Sequence, residues 1–240
     1  MRKFSNSSEV LSKRVSDVQG GAARAAVLGI NDGLVSTLCI ILGVAGASGD
    51  AKAVLLAGFA GLIAGAISMA VGEWISVKSQ VELFEGVLSV VKRLARKEPD
   101  VLTMAIEKNL TETGLEKKLA LHATEHIAQD SDRLQHFYAN RVLGLSPDDL
   151  GSPWKAAISS FGFFVLGALV PLSPWFFIHG TTAEIIAVAL TGLGGLIVGG
   201  YVAYSAGKSI VVGAVRQLAI IIVASAVTYG VGWLFGTTVL

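Results

Sequence analysis

Residues 27–47, VLGINDGLVSTLCIILGVAGA, place Asn31 and Asp32 side by side in a segment otherwise apolar enough to cross a membrane. A charged side chain at the centre of a spanning helix costs about 2.5–3.5 kcal/mol on insertion scales. The apolar run offers Asp32 no basic partner, so this residue is a candidate for a functional site. It could bind a cation, or it could equally belong to a proton pathway.

The composition extends this interpretation to the whole chain. Of 240 residues, 52% are hydrophobic and 15% are charged, whereas soluble proteins carry about 25% charged residues. A spanning helix needs about 20 mostly apolar residues. The sequence therefore predicts an all-α, polytopic membrane protein whose spans contact the lipid bilayer. These predicted spans are residues 24–47, 53–77, 156–178, 182–206 and 209–235. The net charge of +1 gives no support for a nucleic-acid partner.

The polar stretches divide the chain into four parts. We expect an N-terminal tail over 1–23, spans one and two over 24–81, a helical domain over 82–153, and spans three to five over 154–240. Apolar residues at helical spacing from 83 to 95 predict that span two continues into the inserted domain. A second helix should begin at Pro99 and end before Gly114, and a third should cover residues 115–144.

The distribution of lysine and arginine predicts the orientation. These residues cluster before span one, between residues 78 and 155, and around the turn between spans four and five, whereas only Lys52 falls on the opposite side. By the positive-inside rule, the N-terminus and the 78–155 insertion are cytoplasmic, and the C-terminus is outside or lumenal.

Small residues recur along spans one and two. The face of Asp32 also carries Gly29, Gly33, Ser36 and Gly43, while span two carries Gly58, Gly61, Gly65, Ser68 and Gly72. Such stripes allow helices to approach closely. We expect the two stripes to need a partner subunit, and hence a two-fold homodimer.

Met69 and Glu73 lie one turn apart on span two, at a depth comparable to that of Asp32. Carboxylate oxygens together with a thioether sulfur suit a divalent transition metal better than Mg²⁺ or Ca²⁺. Asp32, Met69 and Glu73 are therefore candidate metal ligands, and Asn31 and Ser68 are candidate residues of the same path. The alternatives are that Met69 fills the core and that Glu73 anchors the helix near the interface.

The inserted domain contains a string that resembles a metal site. LHATEH places His122, Glu125 and His126 on one and a half helical turns, a spacing that can hold zinc or iron. A solvated helix face is the simpler interpretation. A hydrolase is not expected, because the small insertion leaves little room for a further ligand and a cleft.

The first two spans, VLGINDGLVSTLCIILGVAGA and LLAGFAGLIAGAISMAVGEWISVKSQ, resemble those of the vacuolar iron transporter family. The resemblance continues through GALVPLSPWFFI and YSAGKSIVVGAVRQLAIIIVASAVTYGVGWLFG to the fifth span. It implies a dimeric transporter that moves Fe²⁺, and often Mn²⁺, out of the cytosol in exchange for protons along a path between the subunits. Asp32 and Met69 match the family's pore aspartate and methionine. No permanently bound cofactor and no enzymatic activity are implied.

The sequence departs from that family at two places, as a divergent, prokaryotic-type member would. Gly61 stands where well-understood members carry a glutamate. Apolar residues stand where their cytoplasmic domain carries metal-collecting glutamates: Val91, Leu94, Leu102 and Ala105. These departures keep two other hypotheses open. One is a non-transporting membrane protein whose insertion serves interaction or dimerisation, and the other is a transporter of a different ion.

Overall fold

The computed structural model describes residues 22–48, 50–145 and 151–238. Its helices are α1 (Ala22–Ser48), α2 (Ala51–Lys97), α3 (Pro99–Glu112), α4 (Lys117–Ala128), α5 (Ser131–Phe137), α6 (Pro153–Leu172), α7 (Thr181–Ser205) and α8 (Ile210–Thr238). A π-helical turn follows α5 at Tyr138–Val142, and a 3₁₀ turn follows α6 at Ser173–Phe176. No strand occurs within these ranges. Most of the predicted N-terminal tail, residues 1–21, lies outside them.

Five of these helices are long and apolar enough to span a membrane, namely α1, α2, α6, α7 and α8. The predicted all-α polytopic fold is thereby confirmed. Helix α2 runs unbroken for 47 residues, as predicted from the absence of a helix breaker after the second span. The third span ends in the 3₁₀ turn, where Pro174 lacks the N–H group that another α-helical turn would use.

Contacts divide the chain into two units. The first comprises the chain up to Ile75 together with the part from Pro153 onward, and the second comprises Ser76–Ser152. In the first unit, α1 is the central helix and runs parallel to α6 and α8. A methyl group on Gly29 would lie 2.8 Å from the backbone oxygen of Ser160 in α6, and one on Gly46 would lie 2.7 Å from that of Tyr229 in α8. The backbones therefore touch directly.

Most glycines of the two stripes are packed within the chain and so do not themselves require a second subunit, whereas Gly72 meets no described atom within 4 Å. Helix α6 fills the space beside Gly29 and Gly33, and Gly43 faces α8. On α2, Gly58, Gly61 and Gly65 receive side chains of the same chain. A helix has several faces, and the glycines of α1 are distributed over more than one of them. The face of Asp32 is thus separate from the glycine contacts.

The second unit contains the distal part of α2 and the helices α3–α5. Its core consists of buried apolar residues from α2, α3 and α5, which are Val91, Ala95, Leu102, Ile106 and Leu134, with Leu94 packed against them. Ala105 is half-buried. The second predicted helix is confirmed as α3, and Gly114 follows it with a positive φ of 97°, a conformation that favours glycine.

The single third helix predicted over 115–144 is wrong, because the chain leaves the helical conformation at Asp130. This residue is extended (φ −130°, ψ 121°), and its carboxylate accepts hydrogen bonds from the backbone N–H groups of Asp132 and Arg133. Aspartate is a preferred N-cap residue, so it starts α5 as a new helix. These two hydrogen bonds hold the pKa of Asp130 below its usual range, and the bond from Asp132 has the larger effect.

Candidate functional site

Asp32 lies on the exposed side of α1, between two residues that are turned inward. Gly33 is buried against the backbone of Phe164 in α6. Because successive helical residues leave the axis about 100° apart, this contact turns Asp32 toward the surface of the chain. Within the helix, the Ser36 hydroxyl donates to the backbone carbonyl of Asp32. The exposed carboxylate therefore sits on a helix whose rotation is fixed by its packing.

Asn31 is tied to the fifth span. The side-chain amide of Gln217 in α8 donates to its carbonyl oxygen, and both residues are half-buried. Asn31 therefore faces α8 rather than the surface on which Asp32 lies. The sequence placed both residues on one path, but the structure turns them in different directions.

Three contacts set the register between the antiparallel helices α1 and α2. Arg24 lies opposite Glu73, and a methyl group on Gly61 or on Gly58 would meet Ile40 or Ile41, respectively. This register places Asp32 level with residues 65–69, a range that includes Ser68 and Met69. Ser68 is exposed and Met69 is half-buried. Two of the predicted path residues thus lie at the height of Asp32.

Met69 also has a packing role. It contacts a buried cluster of α2 and α6 made of Leu62, Ala66, Phe164 and Ala168. Phe164 is the residue whose backbone meets Gly33, so one aromatic residue borders both helices at this height. The core-filling interpretation of Met69 therefore holds for part of its surface, and its half-burial leaves the rest accessible.

Glu73 pairs with Arg24 at the start of the first span. The Arg24 Nη2 and Glu73 Oε1 atoms are 3.5 Å apart, and their side chains are 66% and 11% exposed. Arg24 and Asp32 are two helical turns apart, about 12 Å along the axis. By the register of α1 and α2, Glu73 lies one to two turns, about 6–12 Å along the axis, from the level of Asp32.

The surroundings of Glu73 also fit its interpretation as an anchor. The neighbouring Trp74 packs edge-on against Trp154 of α6, with ring centroids 5.9 Å apart. Tryptophan is enriched where spans meet the headgroup region. At the same time, the buried Oε1 atom makes no hydrogen bond to the described part of the protein. Glu73 is thus held by charge attraction to a largely exposed arginine.

The donors near Asp32 are chemically mixed. A carboxylate, a hydroxyl and a thioether share one level on α1 and α2, a set that can bind a soft or borderline divalent cation. Within the described ranges, no group of three or more His, Cys, Asp and Glu side chains is arranged to hold a metal. A complete coordination sphere at Asp32 therefore needs backbone, water or further subunit ligands.

The H-x-x-E-H string on α4 is spread over exposed positions. His122 Nδ1 lies 4.0 Å from Glu125 Oε2, whereas His126 Nδ1 lies 3.5 Å from Arg133 Nη1. The guanidinium group beside His126 disfavours a cation there. The structure brings His122 and Glu125 together and leaves His126 with an arginine.

Sequence reasoning did not select Arg24 or Gln217 for the site. Arg24 was used only to orient the chain, although its position at the start of a span marks it as a possible partner for a carboxylate. Gln217 is a polar residue eight positions into the fifth span, and it could have been found as a hydrogen-bonding partner for Asn31. Neither pairing follows from spacing along one helix.

The fold defines a multi-pass membrane protein with a carboxylate in its first span at the level of a thioether in its second. Comparison with known proteins identifies its family: residues 23–233 match the model of the VIT family, and the chain belongs to that family. It is 37% identical over 219 residues to VIT-like transporter 1b of Glycine max, covering 90% of this chain and 77% of the relative.

Two further relatives show the same extent of similarity. Vacuolar iron transporter homolog 1 of Oryza sativa subsp. japonica is 35% identical over 214 residues, which are 89% of this chain and 73% of the relative. Vacuolar iron transporter homolog 2 of Arabidopsis thaliana is 33% identical over 217 residues, which are 89% and 84% of the two chains. The resemblance inferred from the sequence motifs is confirmed.

Proposed function

We propose that the protein transports divalent transition-metal ions, Fe²⁺ and Mn²⁺, out of the cytosol in exchange for protons. Membership in the VIT family and the names of the plant relatives support metal transport. The observation that carries the proposal for this chain is the exposed carboxylate of Asp32, level with Ser68 and Met69. Fe²⁺ and Mn²⁺ are the cargo, and the proposal needs no resident cofactor.

The position of Asp32 supports a path between two subunits. In a single chain the carboxylate lies on the outer surface of a spanning helix, where contact with hydrocarbon would cost several kcal/mol. A second copy that covers this face would leave the carboxylate in a polar gap. Most of the stripe glycines pack within the chain, so the support for a second subunit comes from the exposed position of Asp32.

Asp32 can couple ion release to proton uptake by simple charge balance. The deprotonated carboxylate attracts a divalent cation, and protonation removes the charge that holds it. A proton arriving from the opposite side of the membrane would then favour release of the metal. With the N-terminus and the 78–155 insertion cytoplasmic, as the positive-inside rule predicts, this cycle exports metal from the cytosol.

The test is uptake of radioactive iron and manganese into vesicles that contain the full-length protein, with an imposed pH gradient. The wild type should take up both metals only when the gradient is present. Asp32→Asn keeps the size of the side chain and should abolish uptake. The matched control is Asp50→Asn, because Asp50 lies outside the span and caps α2 through the Lys52 N–H, a role that asparagine also fills.

A second candidate is a non-transporting membrane protein whose cytoplasmic domain binds a partner. It is favoured by the second unit, where apolar residues occupy the positions at which the family's metal-collecting glutamates are expected. That unit also exposes Leu83, Val87 and Val90 on α2, with exposures of 72%, 41% and 43%. Wild-type vesicles that take up neither metal would favour this candidate.

A further inference from the structure

A polar contact in the apolar bundle joins the first and fifth spans next to Asp32. Gln217 donates its side-chain amide to the carbonyl oxygen of Asn31. An amide group in apolar surroundings costs free energy unless it is hydrogen-bonded. Each amide therefore favours the arrangement in which the other one meets it.

Two glycines of α7 make room for the Gln217 side chain. A methyl group on Gly199 would lie 2.7 Å from the Cβ atom of Gln217, and one on Gly195 would lie 3.4 Å from its Cγ atom. The aliphatic stem is therefore enclosed by α7 while the amide reaches α1. This enclosure limits the positions that the amide can adopt.

Asp32 lies between two residues that are both engaged with other helices. Asn31 is bonded to α8, and Gly33 is packed on the backbone of α6. Together these contacts fix the rotation of α1 about its axis at this height. The direction of the Asp32 side chain follows from that rotation.

We propose that Gln217 is a positioning residue for metal binding. It acts through Asn31 and holds α1 at the rotation that presents Asp32 to the ion, without contacting the ion itself. This inference rests on the proposed function, because it assigns a role in the same site. It adds a residue of the fifth span to a site otherwise built from the first two.

Loss of the bond should affect metal binding more than turnover. Without its partner, α1 would present Asp32 correctly for a smaller fraction of the time. The apparent dissociation constant rises in inverse proportion to that fraction. The expected signature is therefore a higher KM for Fe²⁺ with little change in the maximal rate.

The experiment compares full-length variants in vesicles with an imposed pH gradient and ⁵⁵Fe²⁺ as the probe. Gln217→Met keeps the length of the side chain and removes the amide. Its KM should rise about three- to fifteen-fold, the range that such interhelical bonds span in membranes. The control is Thr237→Val on the same helix, because the exposed Thr237 hydroxyl bonds the Trp233 carbonyl of its own helix at 3.0 Å. Its KM should stay at the wild-type value.

A double-variant cycle separates positioning from general packing. If Gln217 acts through Asp32, Gln217→Met should change KM much less when Asp32→Glu is already present, since the longer carboxylate has lost the fitted geometry. Independent packing effects would instead multiply. A wild-type KM for Gln217→Met, or effects that multiply, would overturn the inference.

The remaining outcomes also have a defined meaning. If Gln217→Met melts well below the wild type, the KM of Gln217→Glu tests the inference instead. The carboxyl group of this variant can still form a hydrogen bond with the Asn31 amide. A KM near the wild type for that variant supports the role of the bond, and a KM as high as that of Gln217→Met contradicts it. Absence of uptake by the wild type would contradict the proposed function itself. This outcome is distinguishable from one in which only the Gln217 variants behave differently from the expectation.

Discussion

The first and second spans both carry glycines at helical spacing, but these glycines contact different kinds of atoms. Those of α1 meet backbone atoms, such as the Ser160 oxygen at Gly29. On α2, Gly58, Gly61 and Gly65 meet side chains, such as the Leu172 Cδ1 atom, 2.6 Å from a methyl group on Gly58. Backbone atoms cannot move aside without moving a helix, whereas the end of a side chain can move aside by changing its rotamer.

This difference assigns the two spans different mechanical roles. Helix α1 is fixed by close contacts to α6 and α8, and it carries Asp32. Helix α2 is attached through side chains, and it carries Ser68 and Met69 at the same level. The proposed site would therefore combine a carboxylate of fixed position with a hydroxyl and a soft thioether on an adjustable helix.

The largest expected effect is a loss of stability when a glycine of α1 that contacts backbone atoms is replaced by alanine. Gly33→Ala would place its methyl group against the Phe164 backbone oxygen, so we expect a destabilisation of about 1–3 kcal/mol or more from overpacking. The measurement is thermal unfolding of the purified protein in detergent, together with the yield of folded protein.

Gly61→Ala is the matched control on α2. Its methyl group would meet the Cδ1 end of Ile40, and alanine improves helix propensity by about 0.8–1.0 kcal/mol over glycine. The melting temperature should therefore change little. Equal losses for the two variants would show that the two spans are held alike.

Sequence patterns predicted the helices better than their contacts. Apolar runs and lysine and arginine positions suffice to find five spans, and the lack of a breaker predicts the 47-residue α2. The break at Asp130 was missed because an aspartate within a helical pattern can also be an N-cap, and periodicity does not distinguish the two. The glycine stripes were identified, but spacing along one helix does not show which neighbour fills them.

Met69 tests whether the adjustable helix sets selectivity. Met69→Leu preserves the packing against Phe164 and removes the sulfur. Because the thioether is the soft ligand, the preference for iron over manganese should fall about three- to ten-fold while the maximal rate changes less. Competition between labelled iron and unlabelled manganese in vesicles measures this ratio. An unchanged preference for iron over manganese would mean that Met69 only fills the core.

Arg24 should give the smallest effect, because its ion pair with Glu73 is largely exposed on the arginine side. Arg24→Gln removes a positive charge near the start of α1, so the KM for Fe²⁺ should fall about two- to five-fold, equivalent to less than about 1 kcal/mol. Lys78→Gln is the control, since that lysine pairs with Glu82 at exposed positions. A higher KM for Arg24→Gln would mean that Arg24 helps to form the path.

The candidate site was partly predictable for a physical reason. A carboxylate inside an apolar run is costly, and this cost identifies Asp32 without a structure. Its level with Met69 follows from the antiparallel order of two adjacent spans. The pairing of Glu73 with Arg24, and of Asn31 with Gln217, depends on helix rotation and on contacts between spans distant in sequence, which residue spacing does not determine.

The most direct test of the central claim, that Asp32 on the fixed helix holds the metal, is equilibrium binding of ⁵⁵Fe²⁺ to the purified full-length protein under reducing conditions. The wild type should bind iron, and Asp32→Asn should bind it at least about tenfold more weakly, a loss of about 1.4 kcal/mol, while Asp50→Asn binds like the wild type. Binding by Asp32→Asn with the wild-type affinity would contradict the account.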